Sequence, residues 1–254
     1  MIKLSKRLRA VAELVAPADC IADVGCDHGY IPIYLVEQGG CKRAIALDIN
    51  RGPLQRAQEH IVEYKLGDYI ETRLSDGLKA LRKGEAQGIV IAGMGGGTMQ
   101  RILKDGRDVI EGDTLLVLQP QSELREFRSY LMSHGFVIFA EDMVFEDGKY
   151  YPMMKVQKLR EWSQSGNSGK KSCATGGIAY SEMELRFGPL LLKKRHPVLK
   201  EFLQWQEEKK QAILEGLSQW EDTPKGETSQ RKSQRIARIE EELSYIRQAI
   251  KVYK

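Results

Sequence analysis

Apolar positions along this chain switch between two spacings. Over residues 3–16, Leu4, Leu8, Val11, Leu14 and Val15 fall on one face of a helix, which Pro17 stops. Short apolar runs follow at about Cys20–Val24, Arg43–Asp48, Ile70–Leu74, Gly88–Ala92 and Thr114–Leu118, each of strand length. Helical patterns lie between most of them. One spans about Gly29–Gln38, closed by Gly39-Gly40, and another Gly52–Lys65, with Pro53 placed early where its missing N–H costs nothing. Two more cover about Thr98–Val109 and Ser122–His134. The last apolar runs, Phe136–Phe145 and Tyr151–Val156, flank Glu146-Asp147-Gly148-Lys149, and Asp-Gly in that setting signals a tight hairpin.

Strand–helix alternation predicts an α/β fold, a Rossmann-like, mostly parallel sheet with helices on both faces and an antiparallel edge hairpin. Ligands of such sheets bind beyond the carboxyl ends of the strands, near the point where strand order reverses. Gly25, Asp48, Asp76 and Gly93–Gly97 are all predicted to fall on those ends.

The pattern changes after residue 159. Residues 160–182, rich in Ser, Gly and Lys, read as a flexible linker between a domain of residues 1–159 and a helical appendage of residues 183–254. The appendage has two helical segments. The first carries Val198, Leu199, Phe202, Leu203, Ile213, Leu217 and Trp220. The second carries Ile236, Ile239, Leu243, Ile246 and Ile250, a three-four spacing that predicts a coiled-coil seam. Asp222–Gly226 is long enough for an antiparallel hairpin, and intramolecular packing, hence a monomer, is favoured over a homodimer.

Composition adds bounds. No apolar run approaches the roughly 20 residues that span a bilayer, and no signal-peptide core follows the basic segment Met1–Arg9, so no membrane partner and a cytoplasmic location are expected. Cys20, Cys26, Cys41 and Cys173 show neither C-x-x-C nor zinc-ligand spacing, and no metal is expected. Residues 1–158 hold 21 Lys and Arg against 22 Asp and Glu, whereas the remainder holds 18 against 13. A basic second half suggests an anionic partner, although a solvated helical surface would look the same.

The chemistry concentrates in Ala22-Asp23-Val24-Gly25-Cys26-Asp27-His28-Gly29-Tyr30, a strand, a glycine turn and a helix start. Asp48 ends the next strand, where an acid typically holds a ribose hydroxyl pair. The turn lacks G-x-G-x-x-G, and its acids Asp23 and Asp27 would repel a pyrophosphate but tolerate a zwitterionic cation such as S-adenosylmethionine. It resembles the first motif of class I methyltransferases, Asp-x-Gly-x-Gly-x-Gly, with Asp27 in place of the middle glycine. Asp76 stands where such enzymes contact adenine. Gly93-Met94-Gly95-Gly96-Gly97 stands where amino-methylating nucleic-acid enzymes often carry Asn/Asp-Pro-Pro-Tyr/Phe, which argues against exocyclic-amine chemistry. Asp27 and His28 are the acid/base candidates, because a carboxylate or imidazole can stabilise the cation formed when a ring nitrogen is methylated, or take its proton. His60, His134 and His196 read as surface or core histidines.

Ser5-Lys6-Arg7-Leu8, Asp-Val-Gly-Cys-Asp-His-Gly-Tyr, Ile91-Ala92-Gly93-Met94-Gly95-Gly96, Leu118-Gln119-Pro120 and Glu146-Asp147-Gly148-Lys149 occur together in that order. In this the chain resembles the bacterial tRNA (adenine(22)-N1)-methyltransferase family over essentially its whole length. The resemblance implies a Rossmann-like domain with a C-terminal coiled coil, S-adenosylmethionine as methyl donor, and N1 of an adenine in the tRNA D-arm as acceptor. The residues expected at the cofactor are Asp23, Gly25, Cys26, Gly29, Asp48, Ile49, Asn50, Ser75, Asp76, Gly77, Gly93 and Met94. Those expected to meet tRNA are Lys6, Arg7, Tyr30, Gly95, Gly96, Gln119, Lys193, Lys194 and Arg195. Lys3 and Arg9 add basic charge to the first helix, Lys209 and Lys210 to the first appended helix, and Arg231, Lys232, Arg235 and Arg238 to the second. A nicotinamide oxidoreductase, a small-molecule methyltransferase and a catalytically silent RNA-binding protein are the competing readings. The absent dinucleotide fingerprint, the basic appendage and the retained cofactor acids weigh against them in turn.

Overall fold

Strand and helix periods resolve into one seven-stranded sheet in a computed structural model, which describes residues 1–15, 17–159, 179–218 and 226–254. The strands are β1 (Ala18–Val24), β2 (Cys41–Asp48), β3 (Ile70–Leu74), β4 (Gly88–Met94), β5 (Leu115–Pro120), β6 (Phe136–Glu146) and β7 (Lys149–Lys158), in the order β3-β2-β1-β4-β5-β7-β6. β1 to β5 are parallel, and β7 runs antiparallel to both β5 and β6. Strand order reverses between β1 and β4, so a crevice opens there at the carboxyl ends.

The helices of this sheet are α1 (Lys6–Leu14), α2 (Tyr30–Glu37), α3 (Arg51–Glu63), α4 (Gly96–Asp105) and α5 (Leu124–Ser133). Val11, Ile33, Ala57 and Ile61 from α1 to α3 pack in one core with Ile21, Ala46, Val90 and Val117. Strand side chains alternate, so Ile89, Ile91, Leu116 and Leu118 serve the opposite face, where α4 lies beside α5.

Element ends differ from the sequence expectations for identifiable reasons. α1 starts at Lys6, not residue 3, because the Ser5 hydroxyl accepts the Leu8 N–H and the Glu146 carboxylate takes the N–H groups of Lys6 and Arg7. β7 begins at Lys149, two residues before the apolar run, because Asp147 (φ +48°) and Gly148 (φ +74°) make a two-residue turn whose flanking residues pair. α4 starts inside the glycine run and ends at Asp105, with Gly106 as its cap.

The chain divides into two compact units, Met1–Ala179 and Tyr180–Lys254. In the second, α6 (Glu182–Phe187) carries a capping box from Ser181 and Glu184, and α7 (Pro189–Lys193), α8 (Pro197–Ser218) and α9 (Gly226–Lys251) follow. Lys210–Glu242 and Arg247–Glu207 ion pairs set α8 and α9 antiparallel. Leu199, Leu203, Ile239, Leu243, Ile246 and Ala249 are buried, while Ile236 and the expected seam residue Ile250 are only half-buried. The expected linker is largely outside the described residues, as are Trp220 and the break before Gly226.

Candidate functional site

β1 and β2 deliver two carboxylates side by side. Asp23 and Asp48 are each more than nine-tenths buried. Burial, reinforced by Asp48, pushes the Asp23 carboxyl up to about 7. Asp48 accepts the Asn50 N–H at 2.8 Å, which fixes its orientation, and Ile49 beside it is exposed. An apolar side chain open to solvent next to a buried acid suits the flat face of a nucleoside.

The turn after β1 is shaped by its backbone. Gly25 (φ +76°) and Cys26 donate their N–H groups to the Leu47 carbonyl, which ties the turn to β2. A Cβ on Gly25 would run into the Met94 methyl, so this glycine keeps a close approach between the ends of β1 and β4. Cys26 is buried, its thiol pushed above the ordinary range by desolvation, and is no nucleophile. Asp27, His28 and Gly29 form a short 3₁₀ turn with His28 and Gly29 both left-handed, at φ +65° and +68°.

A cavity of about 320 Å³ lies against this turn, lined by Asp23, Gly25–His28 and Tyr30 on one side and by Arg7, Gly93 and Gln121 on the other. Asp27 is exposed, and its Oδ1 accepts from Arg56 Nη2 at 2.8 Å. His28 Nε2 sits 3.6 Å from the same oxygen, while its Nδ1 is buried without a hydrogen-bond partner among the described residues. The rings of His28, Tyr30 and His60 are near-parallel, with centroids 5.2–5.5 Å apart.

Opposite, Gly93 is the bulged residue of β4 (φ +80°). The wholly buried Gln119 accepts from both Gly93 N, at 3.2 Å, and Arg7 Nη1, at 3.1 Å. Arg7 also lies over the Tyr151 ring, 5.4 Å from its centroid. Through this network α1 is joined to the cavity wall.

Several expected contacts take other forms. Gln119 is too deep to touch a macromolecule and instead positions Arg7. Gly96 is buried under Ser122 and Glu123, where any Cβ would collide, so its smallness serves packing of α4 on the turn before α5; Gly95 lies against the Ser122 hydroxyl. Lys6 gives its ammonium to the Phe145 carbonyl. The Ser75 hydroxyl donates to the Gly77 carbonyl and accepts the Ala80 N–H, so it builds its turn. Asp76 is held below the usual carboxylate range by Lys79 and Arg101, one on each oxygen. Lys210 is engaged by Glu242 and Lys209 lies over Trp205, whereas Lys193, Lys194 and Arg195 are exposed. Arg56 and Gln121 were not singled out by the sequence, and His60 was read there as a surface or core histidine. Each gains its place from tertiary packing, and nothing in local spacing marks it.

Among the described residues no group of three metal-ligating side chains converges, and no helix is long and apolar enough to cross a membrane. A reversed-order parallel sheet with a buried acid closing β2, a glycine turn closing β1 and the buried Asp23 carboxylate lining the crevice defines a class I, S-adenosylmethionine-dependent methyltransferase. Residues 4–154 match the family described as "Methyltransferase domain".

The resemblance extends well past that domain. The chain is 35% identical over 224 residues to the tRNA (adenine(22)-N(1))-methyltransferase of Bacillus subtilis, covering 87% of this chain and 89% of the relative. The crystal structure of the B. subtilis M1A22 tRNA methyltransferase TrmK superimposes with a TM-score of 0.79 at 31% identity, over 98% of this chain and all of that one. Mycoplasma capricolum TrmK, in complex with S-adenosyl-homocysteine, gives 0.76 at 26% identity over 99% of each chain. The chain belongs to the tRNA (adenine(22)-N1)-methyltransferase family.

Proposed function

We propose that this protein transfers a methyl group from S-adenosylmethionine to N1 of adenine 22 in the D-arm of tRNA. The observation that carries the reading is similarity to that family over 87% of the chain combined with a cavity that joins the buried acid Asp23 to Asp27, His28 and Tyr30.

Bound S-adenosylmethionine supplies an electrophilic methyl on a sulfonium. Asp48, buried and oriented by Asn50 N–H, holds the ribose hydroxyls. Asp23, once ionised, faces the cationic amino-acid end. Asp76 meets the adenine edge, with Lys79 and Arg101 sharing its carboxylate. On the acceptor side the N1 lone pair needs alignment more than activation, and alignment is where an enclosed wall contributes most. Methylated adenine carries positive charge. The Asp27 carboxylate stabilises that charge or accepts the N6 proton, and the imidazole of His28, which lines the cavity, holds the base edge. Tyr30 offers a face for stacking and Arg7 a guanidinium for the phosphate of the same nucleotide.

N1 is hidden by Watson–Crick pairing, so the target base must leave its stack to enter the cavity. The exposed cations Lys193, Lys194 and Arg195, with the basic faces of α8 and α9, grip the RNA backbone. The chain works as a monomer in the cytoplasm. The decisive experiment is mass spectrometry of tRNA after incubation with the purified protein and S-adenosylmethionine. N1-methyladenosine at position 22, lost when that adenine is replaced, is the expected result. A methylated guanosine, or no RNA product, would exclude the proposal.

A further inference from the structure

Three residues of α3 form a mould beneath the acceptor turn. Arg56 binds the Asp27 carboxylate at 2.8 Å. Ala57 presses on Gly29, where an added Cβ would come within 3.2 Å of the Ala57 methyl. His60 Nδ1 lies 2.9 Å from the His28 carbonyl oxygen. That oxygen can only accept, so Nδ1 carries the hydrogen. Positions 56, 57 and 60 share one helical face, and they meet residues 27, 29 and 28 respectively.

The turn needs such support. His28 is left-handed without being glycine, and the next residue is left-handed too. A non-glycine residue there is strained and persists only when its surroundings hold it. The His60 ring also packs parallel to those of His28 and Tyr30, at 5.5 and 5.4 Å between centroids. His60 therefore touches both halves of the problem: the strained carbonyl by hydrogen bond and the two cavity-lining rings by stacking. α3 itself starts just after Asp48, so the donor acid and the acceptor turn share one rigid support.

We propose that His60 is a positioning residue for methyl transfer. Its Nδ1–H locks the left-handed His28 so that the imidazole of His28 and the carboxylate of Asp27 face the acceptor adenine. This rests on the reading of Asp27 and His28 as the acceptor-side groups. His60 itself does not line the cavity, so it acts through the turn.

Two substitutions separate the hydrogen bond from the ring. The amide nitrogen of asparagine occupies the place of Nδ1, so His60→Asn keeps a donor and loses the ring; His60→Phe keeps a ring and loses the donor. The full-length protein is assayed with tRNA for kcat and KM, with S-adenosylhomocysteine for Kd, and by thermal melting. His60→Phe is expected to lower kcat by about tenfold or more, the scale of a misplaced reacting group, with Kd and melting temperature unchanged. His60→Asn should recover most of that loss. Wild-type kcat in His60→Phe overturns the inference, and so does an equal loss in both variants accompanied by a lowered melting temperature, which would make His60 a fold residue only. His28→Ala is the reference. If it turns over at the wild-type rate, the catalytic reading of the turn fails; if it is slow while His60→Phe is not, the positioning role alone fails.

Discussion

Asp23 and Asp48 end two neighbouring parallel strands and are buried together, and their proximity adds to desolvation in holding a proton on Asp23 up to about pH 7. A cationic ligand reverses that balance, because it favours the ionised carboxylate. Below pH 7 binding must expel a proton, so affinity for S-adenosylmethionine is expected to fall about tenfold per unit as pH drops from 7 to 5 and to be flat above 7. Calorimetry in buffers of different ionisation enthalpy should register close to one released proton near pH 6. Asp23→Asn should remove the pH dependence; a wild type with no proton release would refute the coupling.

The same group makes ligand-free stability depend on pH in a defined sense. Its folded pKa is raised from 3.8 to about 7, so the folded protein keeps a proton that the unfolded chain loses. Its contribution is full at low pH and declines as pH rises between about 4 and 7. Subtracting the melting curve of Asp23→Asn from that of the wild type, pH by pH, isolates this decline.

Asp48→Ala removes the proposed ribose partner. Loss of a charge-assisted hydrogen bond costs about 1.5–3 kcal/mol, so S-adenosylhomocysteine should bind at least about tenfold more weakly while circular dichroism is unchanged. Equal affinity would remove Asp48 from the donor site.

Arg128 on α5 and Glu141 on β6 form an ion pair at 3.0 Å with both side chains almost wholly buried. Breaking such a pair from one side strands a charge, so Arg128→Met is expected to cost about 3–5 kcal/mol, whereas the double replacement Arg128→Met/Glu141→Leu should recover most of it. Chemical denaturation of the three proteins measures both values. A double variant no more stable than the single would mean that the pair itself, not the stranded charge, matters.

Lys193, Lys194 and Arg195 are exposed, so replacing all three by glutamate should leave cofactor affinity intact and weaken tRNA binding steeply. Log affinity of the wild type should fall with log salt by about 0.7–0.9 per phosphate neutralised, and the variant should have a shallower slope. An unchanged slope would assign RNA binding elsewhere.

Period and punctuation by themselves determined most of the fold. The two-versus-four spacing of apolar positions marks β1 to β7 and α1 to α5, Asp147-Gly148 marks the hairpin, and acids and glycines at strand ends mark the crevice, because these follow from backbone geometry that each residue senses locally. The places of Asp23, Gly25 and Asp48 at the strand ends were legible for the same reason. What depended on tertiary structure was which side chains meet across elements. Only the packed sheet sets Asp48 against Asp23 and turns a carboxyl into a group that titrates near 7. Gln119, expected at the substrate, became a buried tie between Gly93 and Arg7 because β5 lies in the middle of the sheet. Lys210 and Arg247 are committed by the antiparallel pairing of α8 and α9, a choice invisible in their charge. His60 reads as an ordinary helix histidine until α3 lies under the turn, and its hydrogen bond to the His28 carbonyl joins residues 32 positions apart. Local spacing cannot encode a partner at that distance; the closure of the sheet and the docking of α3 decide it.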